Sequence, residues 1–191
     1  MRRAARLRGG SDGRVDEDLY SRQLYVMGHA AQRSLARSTI LLIGLTGLGA
    51  EIAKNVVLAG VSALDVCDDT PTTTMDLASS WLLRDADVGQ PRGLHAAERL
   101  SPLNPHVRVG TVPAPVGSES LGAYSVVVAV DQPVREQLRL NEAARAAGCK
   151  MVCASSRGAF GGVFCDFGSS FHVDDVDGEP AHQALLHTAT T

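Results

Sequence analysis

The sequence predicts an α/β domain built on a doubly wound, mainly parallel sheet, and three observations carry that reading. Ser38-Thr-Ile-Leu-Leu-Ile-Gly44 is a continuous apolar run with branched residues, the pattern of a strand buried on both faces. A glycine-rich turn, Gly44-Leu-Thr-Gly-Leu-Gly49, ends that run and leads into Glu51 to Ala59, where apolar residues fall at helical spacing up to a stop at Gly60. Ala63-Leu-Asp-Val-Cys67 then reads as a second strand, and the three pieces together make a β-α-β unit.

The other elements follow in order. Asp16 to Gly28 opens with acids suited to a helix N-terminus and closes on a glycine that can cap it, and His29 to Arg37 reads as a second helix leading into the sheet. Val107 to Val112 and Tyr124 to Val130 are strand-like. Val134 to Ala147 is helical, with Pro133 at its start and Gly148 at its stop, and Lys150 to Ala154 is a further strand. Strands alternating with helices imply a Rossmann-like sheet covered on both faces. Residues 1–15 read as a disordered basic tail, 16–168 as the domain, and 169–191 as a turn-rich linker or the start of a following domain.

Composition narrows the function classes. A chain of 191 residues suits one domain plus tails. The net charge of -3, with no basic stripe, argues against a nucleic-acid binder. No apolar run reaches the ~20 residues of a membrane helix, and a soluble protein without a membrane partner is expected. Met1 to Gly10 is arginine-rich without acids, a pattern shared by transit peptides and basic tails, and it lacks the apolar core of a secretory signal. Cys67, Cys149, Cys153 and Cys165 form no Cys-x-x-Cys pair, so buried, reduced thiols are expected, as in the cytoplasm or nucleus.

The glycine turn places backbone N–H groups and a positive helix end where a phosphate could sit. In the usual dinucleotide fingerprint the glycines fall at the first, third and sixth positions. Here Gly44, Gly47 and Gly49 fall at the first, fourth and sixth, with Thr46 where the second glycine should be. Asp68 follows at a spacing that suits a ribose hydroxyl. A threonine Cβ obstructs backbone approach to a pyrophosphate, while its hydroxyl remains a donor. Two readings stand: a degenerate nucleotide site, or a turn whose glycines only allow close helix-strand packing.

Three segments extend the picture. Tyr20-Ser-Arg-Gln-Leu-Tyr-Val-Met-Gly28, the loop and helix from Gly44 to Gly60, and Arg157-Gly-Ala-Phe-Gly-Gly-Val-Phe-Cys-Asp-Phe-Gly168 resemble the ThiF-type adenylating domains. Within that family they are most similar to the amino-terminal, inactive adenylation half of ubiquitin-activating enzymes. The resemblance implies a partner, an active ThiF-type half in cis or as a heterodimer. That half would use ATP and Mg2+ to adenylate the carboxy-terminus of ubiquitin or a ubiquitin-like protein.

Residue by residue, the resemblance implies a worn nucleotide site. Ala78 and Ser79 stand where active halves carry an Asn-Arg pair, and Arg92 stands where they carry a phosphate-binding lysine. Asp131 aligns with a magnesium-associated aspartate, and equally suits the cap of the helix that begins near Pro133. Arg22 aligns with an arginine that reaches across to the partner's ATP as an arginine finger, its alternative being a surface ion pair with Glu17 or Asp18. Arg157 is expected to order a loop and Cys165 to be a buried core thiol, since the family's catalytic cysteine lies in a later domain. The missing active half makes the chain look like a fragment or a separate subunit. Two rival readings are a free-standing ThiF-type adenylating or nucleotide-binding enzyme and an NAD-dependent oxidoreductase.

Overall fold

The computed structural model describes residues 16–173. The tail read over 1–15 and the linker beyond 173 lie outside the described residues. The strands are β1 (Thr39–Ile43), β2 (Ala63–Cys67), β3 (Arg108–Thr111), β4 (Val126–Val130), β5 (Lys150–Arg157) and β6 (Phe160–Asp166). The α-helices are α1 (Ser21–Leu35), α2 (Gly47–Ala59), α3 (Thr74–Leu77), α4 (Arg92–Leu100) and α5 (Val134–Ala146). The strands form one sheet in the order β3-β2-β1-β4-β5-β6, parallel throughout except for β6, which runs antiparallel to β5.

The apolar run of β1 does what its lack of alternation implies. Ile40 and Leu42 join one core with Val57 of α2 and Leu100 of α4. Leu41 and Ile43 join a second core, on the opposite face, with Leu140 and Ala144 of α5. Both faces of the sheet are therefore covered, as expected of a doubly wound fold. Truncating a fully buried leucine such as Leu42 costs about 2–5 kcal/mol in cores of this kind.

The one carboxylate in β2, Asp65, is buried and fully engaged. Arg108 of β3 donates to it through both terminal nitrogens at 2.8 and 2.9 Å, and the Tyr124 hydroxyl donates at 3.1 Å. Burial, reinforced by the Asp65 charge, pushes the Tyr124 hydroxyl up to about 12, so it stays a donor.

The predicted elements are found, but two helices begin elsewhere: the first at Ser21 rather than Asp16, so that no acid lies in its first turn, and α2 at Gly47 rather than Glu51. The two expected amino-terminal helices run on as α1, broken at Gly28, whose φ of 75° and ψ of 170° leave the helical region. Three elements are additions to the sequence reading, α3, α4 and β6, of which α3 is a single four-residue turn. β6 carries two adjacent glycines and is exposed along nearly its whole length, so it has no apolar alternation. α4 is short and turns mainly alanines inward, Ala96 and Ala97 with Leu100, which is a weak periodic signal.

Candidate functional site

The glycine loop follows β1, Asp68 follows β2 and Asp131 follows β4, so all three lie at the carboxyl ends of parallel strands. β1 and β4 are neighbours whose following helices pack on opposite faces, which makes a crevice between them, the usual ligand position in open α/β sheets. A cleft of about 280 Å³ lies there, lined by Gly44, Thr46, Asp68, Asp69, Arg92 and Asp131 among others. Pockets for small ligands run to about 300–1,000 Å³, so this one is at the bottom of that range.

Packing accounts for each glycine of the loop. Gly44 has φ 95°, and a Cβ there would lie 2.4 Å from the Val130 carbonyl oxygen. A Cβ on Gly49 would lie 2.2 Å from the carbonyl oxygen of Gly44. One on Gly47 would lie 2.7 Å from the carbonyl oxygen of Ser79. The Ala78-Ser79 segment thus presses its own backbone against the turn.

The charges around the cleft are spent on one another. Thr46 donates its hydroxyl to Asp131 Oδ2 at 2.7 Å, while Asp131 Oδ1 accepts from the Ser156 amide at 3.0 Å and from Arg157 Nη1 at 2.7 Å. Burial alone would raise the Asp131 carboxyl, but the Ser156 amide, Thr46 and Arg157 outweigh it and hold the group below the usual carboxylate range. Asp68 accepts the Leu45 amide at 2.7 Å and the Thr70 amide at 3.0 Å. Arg92 bridges Asp68 and Asp76, at 3.0 Å to each. Among the described residues lining the cleft, the only cation is therefore paired with two carboxylates, beside Asp69 and Asp131. No group of three or more His, Cys, Asp or Glu among the described residues is arranged to hold a metal ion. This set does not fit a magnesium triphosphate.

Arg22 lies elsewhere. It lines a separate cleft with Tyr20, Leu58 and Asn104, against the C-terminal end of α2. The glycine loop opens the N-terminal end of the same helix, and its 13 residues put about 20 Å between the two ends. A model of the ThiF family matches residues 20–175. The chain belongs to the ThiF family.

Relatives and solved structures within and around that family agree. The chain is 42% identical over 183 residues to ubiquitin-like modifier-activating enzyme 1 of Rattus norvegicus, covering 96% of this chain and 17% of that protein. It is 40% identical over 176 residues to ubiquitin-activating enzyme E1 1 of Schizosaccharomyces pombe, covering 92% and 17%. The chain thus spans about a sixth of the length of these curated relatives. The fold matches that of E. coli tRNA N6-threonylcarbamoyladenosine dehydratase, TcdA, in its complex with AMP, with a TM-score of 0.64 and 21% identity over 75% of this chain and 60% of that one. E. coli MccB with succinimide matches with a TM-score of 0.63 and 18% identity, over 72% and 44%.

Three expectations change in this ThiF-family chain. Asp131 does not cap α5: its carboxylate turns to Thr46, Ser156 and Arg157, and α5 starts at Pro133 without a side-chain cap. Cys165 is exposed, because it sits on the edge strand β6, while Cys67, Cys149 and Cys153 are buried. Arg22 is exposed and forms no ion pair with Glu17, Asp18 or any other described residue. Asp76, Ser156 and Gln132 were not foreseen at the cleft. Asp76 and Ser156 meet Arg92 and Asp131 across distant stretches of sequence, Gln132 bonds only locally to Val130 and Gln137, and of the residues that tie the cleft together Arg157 alone carried a signal, its place in the third resembling segment.

Proposed function

We propose that this chain is a non-catalytic adenylation half. It pairs with an active ThiF-type half, which binds ATP and Mg2+ and adenylates ubiquitin or a ubiquitin-like protein in the cytoplasm or nucleus, and lends Arg22 to that half's ATP. The observation that carries this reading is the division of charge: the charged groups of the chain's own cleft are taken up by internal ion pairs, while Arg22 stands exposed at the opposite end of α2 with no partner among the described residues. Arg22 lines a cleft at the far end of a helix about 20 Å long from its own glycine loop, which supports assigning it to a neighbour's site rather than to that loop. Exposed apolar residues support a partner surface, with Tyr25, Val26 and Met27 on α1 and Phe160, Val163 and Phe164 on β6. Similarity to modifier-activating enzymes supports the substrate class.

The test is ATP-pyrophosphate exchange. The chain alone is expected to give none, and exchange is expected when an active half and the modifier are added. Arg22→Ala in the reconstituted pair is expected to lower kcat by at least about 10²-fold, since arginine fingers contribute on the order of 10³-fold or more. Full exchange by the isolated chain, or an unaltered rate with Arg22→Ala, would overturn the reading.

A further inference from the structure

The first half of the helix that carries Arg22 has one buried side chain beside it. Between positions 16 and 31, Tyr20 is the one buried residue, 7% exposed, while Leu19, Tyr25 and Val26 around it face outward. Gly28 interrupts the helix, and the next buried side chain is Gln32, which donates to the Ala59 carbonyl at 3.3 Å. The first half of α1 is therefore oriented by what holds Tyr20.

Two groups hold it. The Tyr20 ring lies against Gly60, which ends α2 at φ 82°, so closely that a Cβ there would sit 2.4 Å from the hydroxyl and 2.6 Å from the carbon bearing it. Asn104, itself buried, donates Nδ2 to the Tyr20 hydroxyl at 2.8 Å and to the Val57 carbonyl at 3.0 Å. Its Oδ1 accepts the His106 amide at 3.1 Å, so Asn104 is fixed on the body before it reaches Tyr20. Three segments distant in sequence meet at this node, and neither Tyr20 nor Asn104 lines the glycine cleft. Both line the cleft that holds Arg22.

We propose that Tyr20 and Asn104 are positioning residues for Arg22, tying the start of α1 to the end of α2 so that the guanidinium is presented at a fixed height and angle to the partner's site. The proposal rests on the role assigned to Arg22 above. A transition-state contact is sensitive to this kind of support, because a shift of about 1 Å can cost on the order of 10²-fold in rate. Tyr20→Phe removes one hydrogen bond and leaves the ring packing on Gly60. Asn104→Leu removes the donor.

The experiment measures kcat and KM for exchange in the reconstituted pair, with Tyr20→Phe, Asn104→Leu and Arg22→Ala made singly and in combination. Each positioning variant is expected to lower kcat about tenfold with KM for the modifier unchanged, and to cause no further loss in the Arg22→Ala background. Equal fold-losses in both backgrounds would show a role independent of Arg22 and overturn the proposal. So would unchanged kcat in both positioning variants while Arg22→Ala retains its defect. A silent Arg22→Ala would remove the functional reading itself, and the positioning role with it. A second readout needs no partner: amides 21–27 of the isolated chain are expected to exchange hydrogen faster in Tyr20→Phe while the sheet amides keep their rates. Unaltered exchange at 21–27 would also overturn the proposal.

Discussion

A methyl group at Gly49 has nowhere to go, since its position lies 2.2 Å from a backbone oxygen of the same loop rather than from a flexible side chain. Gly49→Ala is expected to destabilise the chain by about 1–3 kcal/mol, read as a lowered urea midpoint at unchanged slope. A second residue-scale effect depends on pH. The Arg99 guanidinium, hydrogen-bonded to Asp87 and helped by the Arg84 amide, outweighs burial and holds the Asp87 carboxyl at about 2. A folded-state value below the unfolded one means the stabilisation is complete above about pH 4 and is lost as pH falls toward about 2. Asp87→Asn is expected to flatten that acid limb in thermal unfolding curves recorded from about pH 5 downward. Close packing at Gly49 was one of the two readings of the glycine loop, whereas the Asp87–Arg99 pair was not legible in the sequence. Asp87 and Arg99 belong to a 3-10 turn (Asp85–Asp87) and to α4, and nothing in their spacing says that the chain folds back between them.

At the scale of elements, β6 is the informative strand. It closes the sheet antiparallel to β5 and is tied to α5 by Arg145, which donates to Asp166 at 2.6 and 3.0 Å, and by Asn141 at 2.9 Å. Its side chains remain exposed, Cys165 among them. Cys67 is buried and pushed up to about 11, with Asp69 and Asp68 adding to the effect of burial, and burial raises Cys149 and Cys153 as well. Alkylation of the native chain is therefore expected to modify Cys165 first and alone, which mass spectrometry of the labelled peptides would show. Labelling of Cys67 at a similar rate would mean that the core opens. The central strands were legible because β1, β2 and β4 are buried on both faces and so read as apolar runs, broken in β2 by Asp65 alone. β6 was not, because an edge strand whose apolar side chains are left uncovered shows no such run.

Over the whole molecule, the fold and the family were carried by short segments, and the state of the site was not. Gly44, Asp68 and Asp131 were found at one crevice, as their places after β1, β2 and β4 implied; Gly47 and Gly49 do not line it, while Arg92 joins the three from α4. Their mutual pairing depends on distances between segments that a linear pattern does not encode. Thr46 is the instructive case: its hydroxyl, a plausible phosphate donor by composition, turns to Asp131 and helps fasten the loop to β4 and β5. Arg22 is the converse, a charged group at the far end of α2 that has no partner among the described residues. That the nucleotide belongs to a partner can be tested by titrating Mg-ATP into the isolated 191-residue chain by calorimetry. No saturable binding is expected up to about 1 mM, equivalent to less than about 4 kcal/mol of affinity. Saturable, magnesium-dependent binding in the micromolar range would contradict it.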